Sequence, residues 1–339
     1  MSCRKAFRKG AGMRVAVAGF YGFGNLGDEL ILSVLLKQLK ETYLQGRVTV
    51  FSNRPAHTRL FHGASAVSRW NPFSVAFELL RADLFVLGGG GLFQDKTSFR
   101  SLFYYLSLVA FSLLWRKPVF LYSVGVETVR RPASKWLIKT LLSSRRVKIT
   151  VRDQKSADKL ALMGLADKTI HVHQDPVFSL PMDVPARSNR HELKRALFIP
   201  RFPAPAVGMN LYNEIRFFLE GRLGLEVDEA VFEPAAEKKS RPTAVGVETS
   251  EQMALLLTDC DLVVSARYHG LVLAALAGRP FIGIGDPEKT GRLCEIMKMP
   301  FLNWSATRQD VEAALGRLNL GAGSRDFLEN SRRLVDQLF

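Results

Sequence analysis

Asp261-Leu-Val-Val-Ser265-Ala-Arg267-Tyr-His269-Gly270-Leu271-Val-Leu-Ala-Ala-Leu-Ala-Gly278 passes from an apolar run through a short polar junction into a small-residue helical pattern. A buried strand opening directly into a helix is the building unit of a parallel sheet with crossover helices. The junction leaves backbone N–H groups unpaired at the helix start, with a guanidinium and an imidazole two residues apart beside them. Two readings stand here: Arg267 and His269 hold an anion and move a proton, or they only cap a strand end.

Outward from this stretch, the same alternation fills the chain. Strand-like runs fall at 13–20, 47–51, 84–87, 119–124 and 147–151, with helical patterns at 28–39, 74–80, 102–115, 134–142 and 155–163 between them. After the turn-rich Leu180-Pro-Met-Asp-Val-Pro-Ala-Arg-Ser-Asn189, strands recur at 196–199, 229–232, 262–264 and 281–284, and helices at 211–219, 252–257, 271–277, 291–297 and 309–318. The expected fold is α/β, with two Rossmann-like domains facing across a cleft. The domains are expected at 13–180 and 191–339, with a linker at 181–190 and a disordered basic stub at 1–12.

The 339 residues carry 47 Lys+Arg against 32 Asp+Glu, a net charge of +15, which points to an anionic partner. No zinc-finger spacing, aromatic-rich RNA-binding signature or heptad accompanies the scattered cations, so nucleic acid is not expected. Cys3, Cys260 and Cys294 form neither a disulfide framework nor a CxxC pair, which fits a reducing, cytoplasmic setting. The cationic start lacks the apolar stretch of a secretory signal. Leu102 to Trp115 is uncharged but shorter than the ~20 residues of a spanning helix. It reads as a buried or interfacial helix, or, with Arg100, Arg116 and Lys117 at its ends, as a segment lying on an anionic bilayer at the inner face of the membrane.

Several strand exits carry chemistry. Gly22-Phe-Gly24-Asn25-Leu-Gly27 fits GxGxxG, but Asp28 and Glu29 open the helix where a pyrophosphate would sit, and no carboxylate ends the second strand for a ribose. Arg54 keeps NADP as an alternative to a backbone turn that approaches some other substrate. Gly88-Gly89-Gly90-Gly91 at the exit of a buried strand lets a ligand approach the main chain, with Gln94 and Asp95 offered to hydroxyl groups. Arg152-Asp153 follows another strand, either as an anion-binding Arg with a capping Asp or as a structural pair. Lys289 follows the strand at 281–284 as a phosphate cation or a solvated loop lysine. His171, His173 and Asp175 share a period-two face, but Pro176 ends the strand, so Asp175 reads as a turn residue and no metal site is expected.

Together, Gly19-Phe-Tyr-Gly-Phe-Gly-Asn-Leu-Gly-Asp-Glu29, Gly88-Gly-Gly-Gly-Leu-Phe-Gln-Asp95, Val151-Arg-Asp153, Asp175-Pro176 and Ser265-Ala-Arg-Tyr-His269 resemble the polysaccharide pyruvyl transferase family, in order, from about Met13 to Met299. The resemblance implies a GT-B-like fold and transfer of the enolpyruvyl carbons of phosphoenolpyruvate to two hydroxyls of a sugar, leaving a cyclic ketal. It implies a cell-envelope polysaccharide, or its lipid-linked precursor, as acceptor, and no cofactor beyond phosphoenolpyruvate as co-substrate. Arg152, Arg267 and Lys289 would hold phosphoenolpyruvate, His269 would act as acid and then base, and the glycine loops with Gln94 and Asp95 would orient the acceptor. The chain departs from the family pattern at Ser123-Val-Gly125-Val-Glu127, at the extra Glu288 and across 232–239. A nucleotide-sugar glycosyltransferase and a catalytically idle membrane scaffold are the alternatives from other classes.

Overall fold

The computed structural model describes residues 12–43, 45–95, 99–185, 193–202, 206–239 and 241–318. The expected basic stub, Gly12 apart, and the last five residues of the expected linker lie outside them. The chain divides into two compact units between Ser179 and Leu180.

The first unit contains seven parallel strands, β1 (Arg14–Ala18), β2 (Arg47–Ser52), β3 (Ser65–Ser68), β4 (Leu84–Phe93), β5 (Val119–Val126), β6 (Val147–Val151) and β7 (Ile170–Val172). Their order is β3-β2-β1-β4-β5-β6-β7. Six helices connect them: α1 (Leu26–Thr42), α2 (Pro55–His62), α3 (Pro72–Arg81), α4 (Phe99–Leu114), α5 (Pro132–Leu142) and α6 (Gln154–Leu160). The central strands are apolar almost throughout because both faces are covered, as parallel sheets require. Val75 and Leu79 of α3, Leu102 and Val109 of α4, and Ile138 and Leu142 of α5 join Phe85, Leu87, Val119 and Leu121 in one core. These three helices therefore share one face of the sheet.

The second unit repeats the design with β8 (Arg195–Ile199), β9 (Glu226–Val231), β10 (Val245–Gly246), β11 (Leu262–Ser265), β12 (Phe281–Gly285) and β13 (Phe301–Asn303), ordered β10-β9-β8-β11-β12-β13. Its helices are α7 (Ala206–Phe217), α8 (Pro234–Glu237), α9 (Ser250–Thr258), α10 (Tyr268–Leu276), α11 (Arg292–Ile296) and α12 (Arg308–Arg317). Phe198, Leu219, Leu262, Val264 and Ile282 centre a separate core.

In each sheet the strand order reverses beside the first strand, between β1 and β4 and between β8 and β11. Loops leaving the carboxyl ends of those strands diverge and open a crevice, the place where ligands bind in such folds. One expectation is corrected here. The four glycines at 88–91 do not follow the strand but belong to β4, which runs on to Phe93 and pairs Gly88 with Tyr122 and Gly90 with Val124. Buried Leu92 and Phe93 anchor the far end, so the glycine stretch is held as sheet with an irregular register rather than released as a turn.

Candidate functional site

In the first unit the loop after β1 is pinned from below. Asn25, expected among the acceptor or backbone-loop residues, is the N-cap of α1: Gly27 and Asp28 donate their backbone N–H to its Oδ1 at 3.1 and 3.4 Å. Gly22 donates its N–H to Glu29 Oε1 at 2.8 Å, and Glu29 Oε2 lies 2.9 Å from His62 Nε2, with both side chains buried. Glu29 and His62 thus fix the glycine loop by its main chain. That pair went unnoticed in the sequence because its members are far apart in the chain.

The neighbouring strand ends gather carboxylates. Gly90 has a φ of +80°, and a Cβ there would stand 2.7 Å from Asp28 Oδ1. A Cβ on Gly91 would collide with Glu127 Oε1. The missing side chains therefore make room for two carboxylates over β4. Glu127 reaches Arg152 Nη2 at 3.7 Å, and Arg152 Nε lies 3.3 Å from Asp153 Oδ2. Asp153 also caps α6 by accepting from Ser156 N at 2.7 Å, so both sequence readings of this dipeptide hold for the Asp. Gly125, in the segment that departs from the family pattern, lies under the guanidinium, since a Cβ there would come within 2.7 Å of Arg152 Cζ. Glu127 and Asp153 beside Arg152, with Asp28 over Gly90, form an acceptor-rich surface suited to hydroxyl groups.

Asp95 is corrected as an acceptor-orienting residue. It is buried, and its two oxygens accept from Arg130 N at 2.8 Å and Arg131 N at 2.9 Å. Burial would raise its pKa, but those backbone donors outweigh it and hold the carboxyl below the usual range. Asp95 ties down the loop after β5. Gln94 beside it is half-buried. His171 and His173 are exposed, and Asp175 takes the turn role by accepting from Val177 N at 3.1 Å. Among the described residues no group of three His, Cys, Asp or Glu side chains is placed to hold a metal ion.

In the second unit Arg267 stands at the N-cap of α10, directly after β11 and at the crevice of that sheet, with His269 in the first turn and half-buried. Lys289, also half-buried, lies in the helical turn Pro287–Gly291 after β12, and that turn packs against α10. The structure thus brings Arg267, His269 and Lys289 to adjacent strand ends. Arg267 is not an open cation, however. Its Nη1 lies 2.9 Å from Glu233 Oε1, and its Nη2 pairs with Glu237. Glu237 is fully buried and also accepts from Phe202, Phe232 and Glu233 N–H groups. The stretch at 232–239 that looked foreign to the family pattern is what supplies these two carboxylates. Tyr212, whose hydroxyl accepts from Arg201 N at 3.0 Å, has its pKa pushed up to about 12 by burial.

The model for polysaccharide pyruvyl transferase matches residues 25–286, which take in the glycines of β4, Arg152, Arg267 and His269, while Gly22 and Lys289 lie just outside the matched span. The chain belongs to the polysaccharide pyruvyl transferase family. No curated protein matches it significantly. Among solved structures, UDP-GlcNAc 2-epimerase from Methanocaldococcus jannaschii aligns over 96% of this chain and 100% of its own, with a TM-score of 0.60 at 11% identity. A glycosyltransferase from Rickettsia africae gives 0.58 at 12% identity over 97% and 94%. The lipopolysaccharide outer core galactosyltransferase WaaB gives 0.54 at 11% identity over 96% of each chain. At such identities the likeness is one of fold: two Rossmann-like units of the GT-B kind.

Proposed function

We propose that this member of the family transfers the pyruvyl group of phosphoenolpyruvate to two hydroxyls of a sugar, forming a cyclic ketal and releasing phosphate. The observation that supports it most is the grouping of Arg267, His269 and Lys289 at adjacent strand ends in a chain of this family. Phosphoenolpyruvate bears a carboxylate and a phosphate on three carbons, and Arg267 and Lys289 supply positive charge for it at the strand ends of the second unit. His269 donates a proton to the methylene carbon. One sugar hydroxyl bonds to the adjacent carbon and returns its proton to His269, phosphate leaves, and the second hydroxyl closes the ring as its proton passes to the departing phosphate.

On this reading Arg267 engages substrate by exchanging Glu233, which is partly exposed, while buried Glu237 keeps the guanidinium in place. Asp28, Glu127 and Gln94 accept hydrogen bonds from the acceptor over the glycines of β4. The acceptor is a sugar of a cell-surface polysaccharide or its lipid-linked precursor, met in the cytoplasm near the inner membrane face. The test is phosphate release from phosphoenolpyruvate across a panel of N-acetylmannosamine, glucose and galactose glycosides. Release with one of them, lost in His269→Ala while phosphoenolpyruvate still binds, supports the reading; undiminished release in that variant removes His269 from the chemistry.

A further inference from the structure

The helices α3, α4 and α5 lie side by side, with α4 packed against both neighbours and their inner faces in one core. Their outer faces are unusually apolar. On α3, Phe73 is 85% exposed and is followed at helical spacing by exposed Phe77 and Leu80. On α4, Phe103, Phe111 and Leu114 form a second exposed stripe, and Trp136 adds a third point on α5. Single exposed apolar residues are ordinary, but seven large ones on three adjacent helices mark an interaction surface.

The charge around this face selects its partner. Arg81, Arg100, Arg116, Arg131, Lys135 and Lys139 are all exposed on or beside the three helices, against the carboxylates Glu78 on α3 and Asp83 just after it. Arg81 lies over the Phe77 ring at 4.9 Å, and Arg131 over the Phe99 ring at the same distance. Cations ringing aromatic side chains match the level of a bilayer where acyl chains meet anionic headgroups. A second copy of the chain would bring the same cations together and be repelled.

We infer that the α3–α4–α5 face docks the protein on an anionic lipid surface, with Phe73, Phe77, Phe103, Phe111, Leu114 and Trp136 inserted among the acyl chains. The sequence offered only the helix at 102–115 for this; the stripe on α3 and Trp136 emerge from the packing. The inference stands apart from the phosphoenolpyruvate chemistry, because binding is read without turnover.

The test is sedimentation of the full chain with phosphatidylcholine vesicles, with and without phosphatidylglycerol. Binding is expected to the anionic vesicles alone and to weaken as salt rises. A variant carrying Phe73→Ser, Phe103→Ser and Leu114→Ser alters only exposed positions, and circular dichroism reports its fold. It is expected to bind anionic vesicles about tenfold or more weakly while keeping the circular dichroism spectrum of the unaltered chain. A second variant, Lys135→Glu with Lys139→Glu, is expected to lose the preference for anionic lipid. Absence of vesicle binding, equal binding by the triple variant, or a dimer in sedimentation that the triple variant abolishes without any vesicle effect would each overturn the inference.

Discussion

At the scale of single residues, the side chains that carry charge are already engaged by the protein. Arg267 is the clearest case, and it yields a test. Glu233→Gln removes one of its two competing carboxylates, so the KM for phosphoenolpyruvate is expected to fall roughly threefold to tenfold with kcat little changed. A raised KM would instead make Glu233 a residue that orients Arg267. Asp95 belongs to stability. In Asp95→Asn the amide can accept only one of the Arg130 and Arg131 N–H groups, and a loss of about 1–3 kcal/mol is expected in denaturant unfolding. Because the folded-state pKa of Asp95 lies below its ordinary value, its contribution is present above the usual carboxylate pKa and disappears as pH falls through the folded value. The gap between wild type and Asp95→Asn should therefore close on acidification.

At the scale of elements, much was legible in the sequence, because long buried strands and capped amphipathic helices carry strong local signals. Helix α1, capped by Asn25, and the eight-residue buried β5 are of this kind, while α10, β1 and β11 show as largely apolar runs. The two-residue β10 and the short edge strands β3 and β13 are not; each has too few residues for a period to show, and their pairing comes from the sheet beside them. The glycines of β4 misled in another way. Glycine weakens a strand pattern locally, so the sequence reading ends the strand at Leu87, whereas the pairing with β5 and the buried Leu92 and Phe93 carry it to Phe93. Their use can be tested by Gly90→Ala. That change sets a Cβ at positive φ against Asp28, and a cost of about 1–2 kcal/mol is expected in thermal unfolding. A greater loss of acceptor use than of phosphoenolpyruvate binding is also expected. An unaltered acceptor KM would separate this stretch from the sugar.

For the whole molecule, the two units each bring a complete parallel sheet and a core of their own. Residues 180–339 produced alone are expected to unfold cooperatively on heating, and a broad, featureless transition would show that the second core is incomplete by itself. The candidate site was less legible than the fold for a reason of distance. Glu233 and Glu237 stand 34 and 30 positions from the Arg267 they neutralise, and no local pattern links them. Their presence changes what the site does at rest. A guanidinium clasped by the protein's own carboxylates offers little standing attraction to inorganic phosphate or other anionic metabolites drifting past. Admission then becomes a contest in which an incoming ligand must outbid a tethered rival, and discrimination arises from that rivalry as much as from shape.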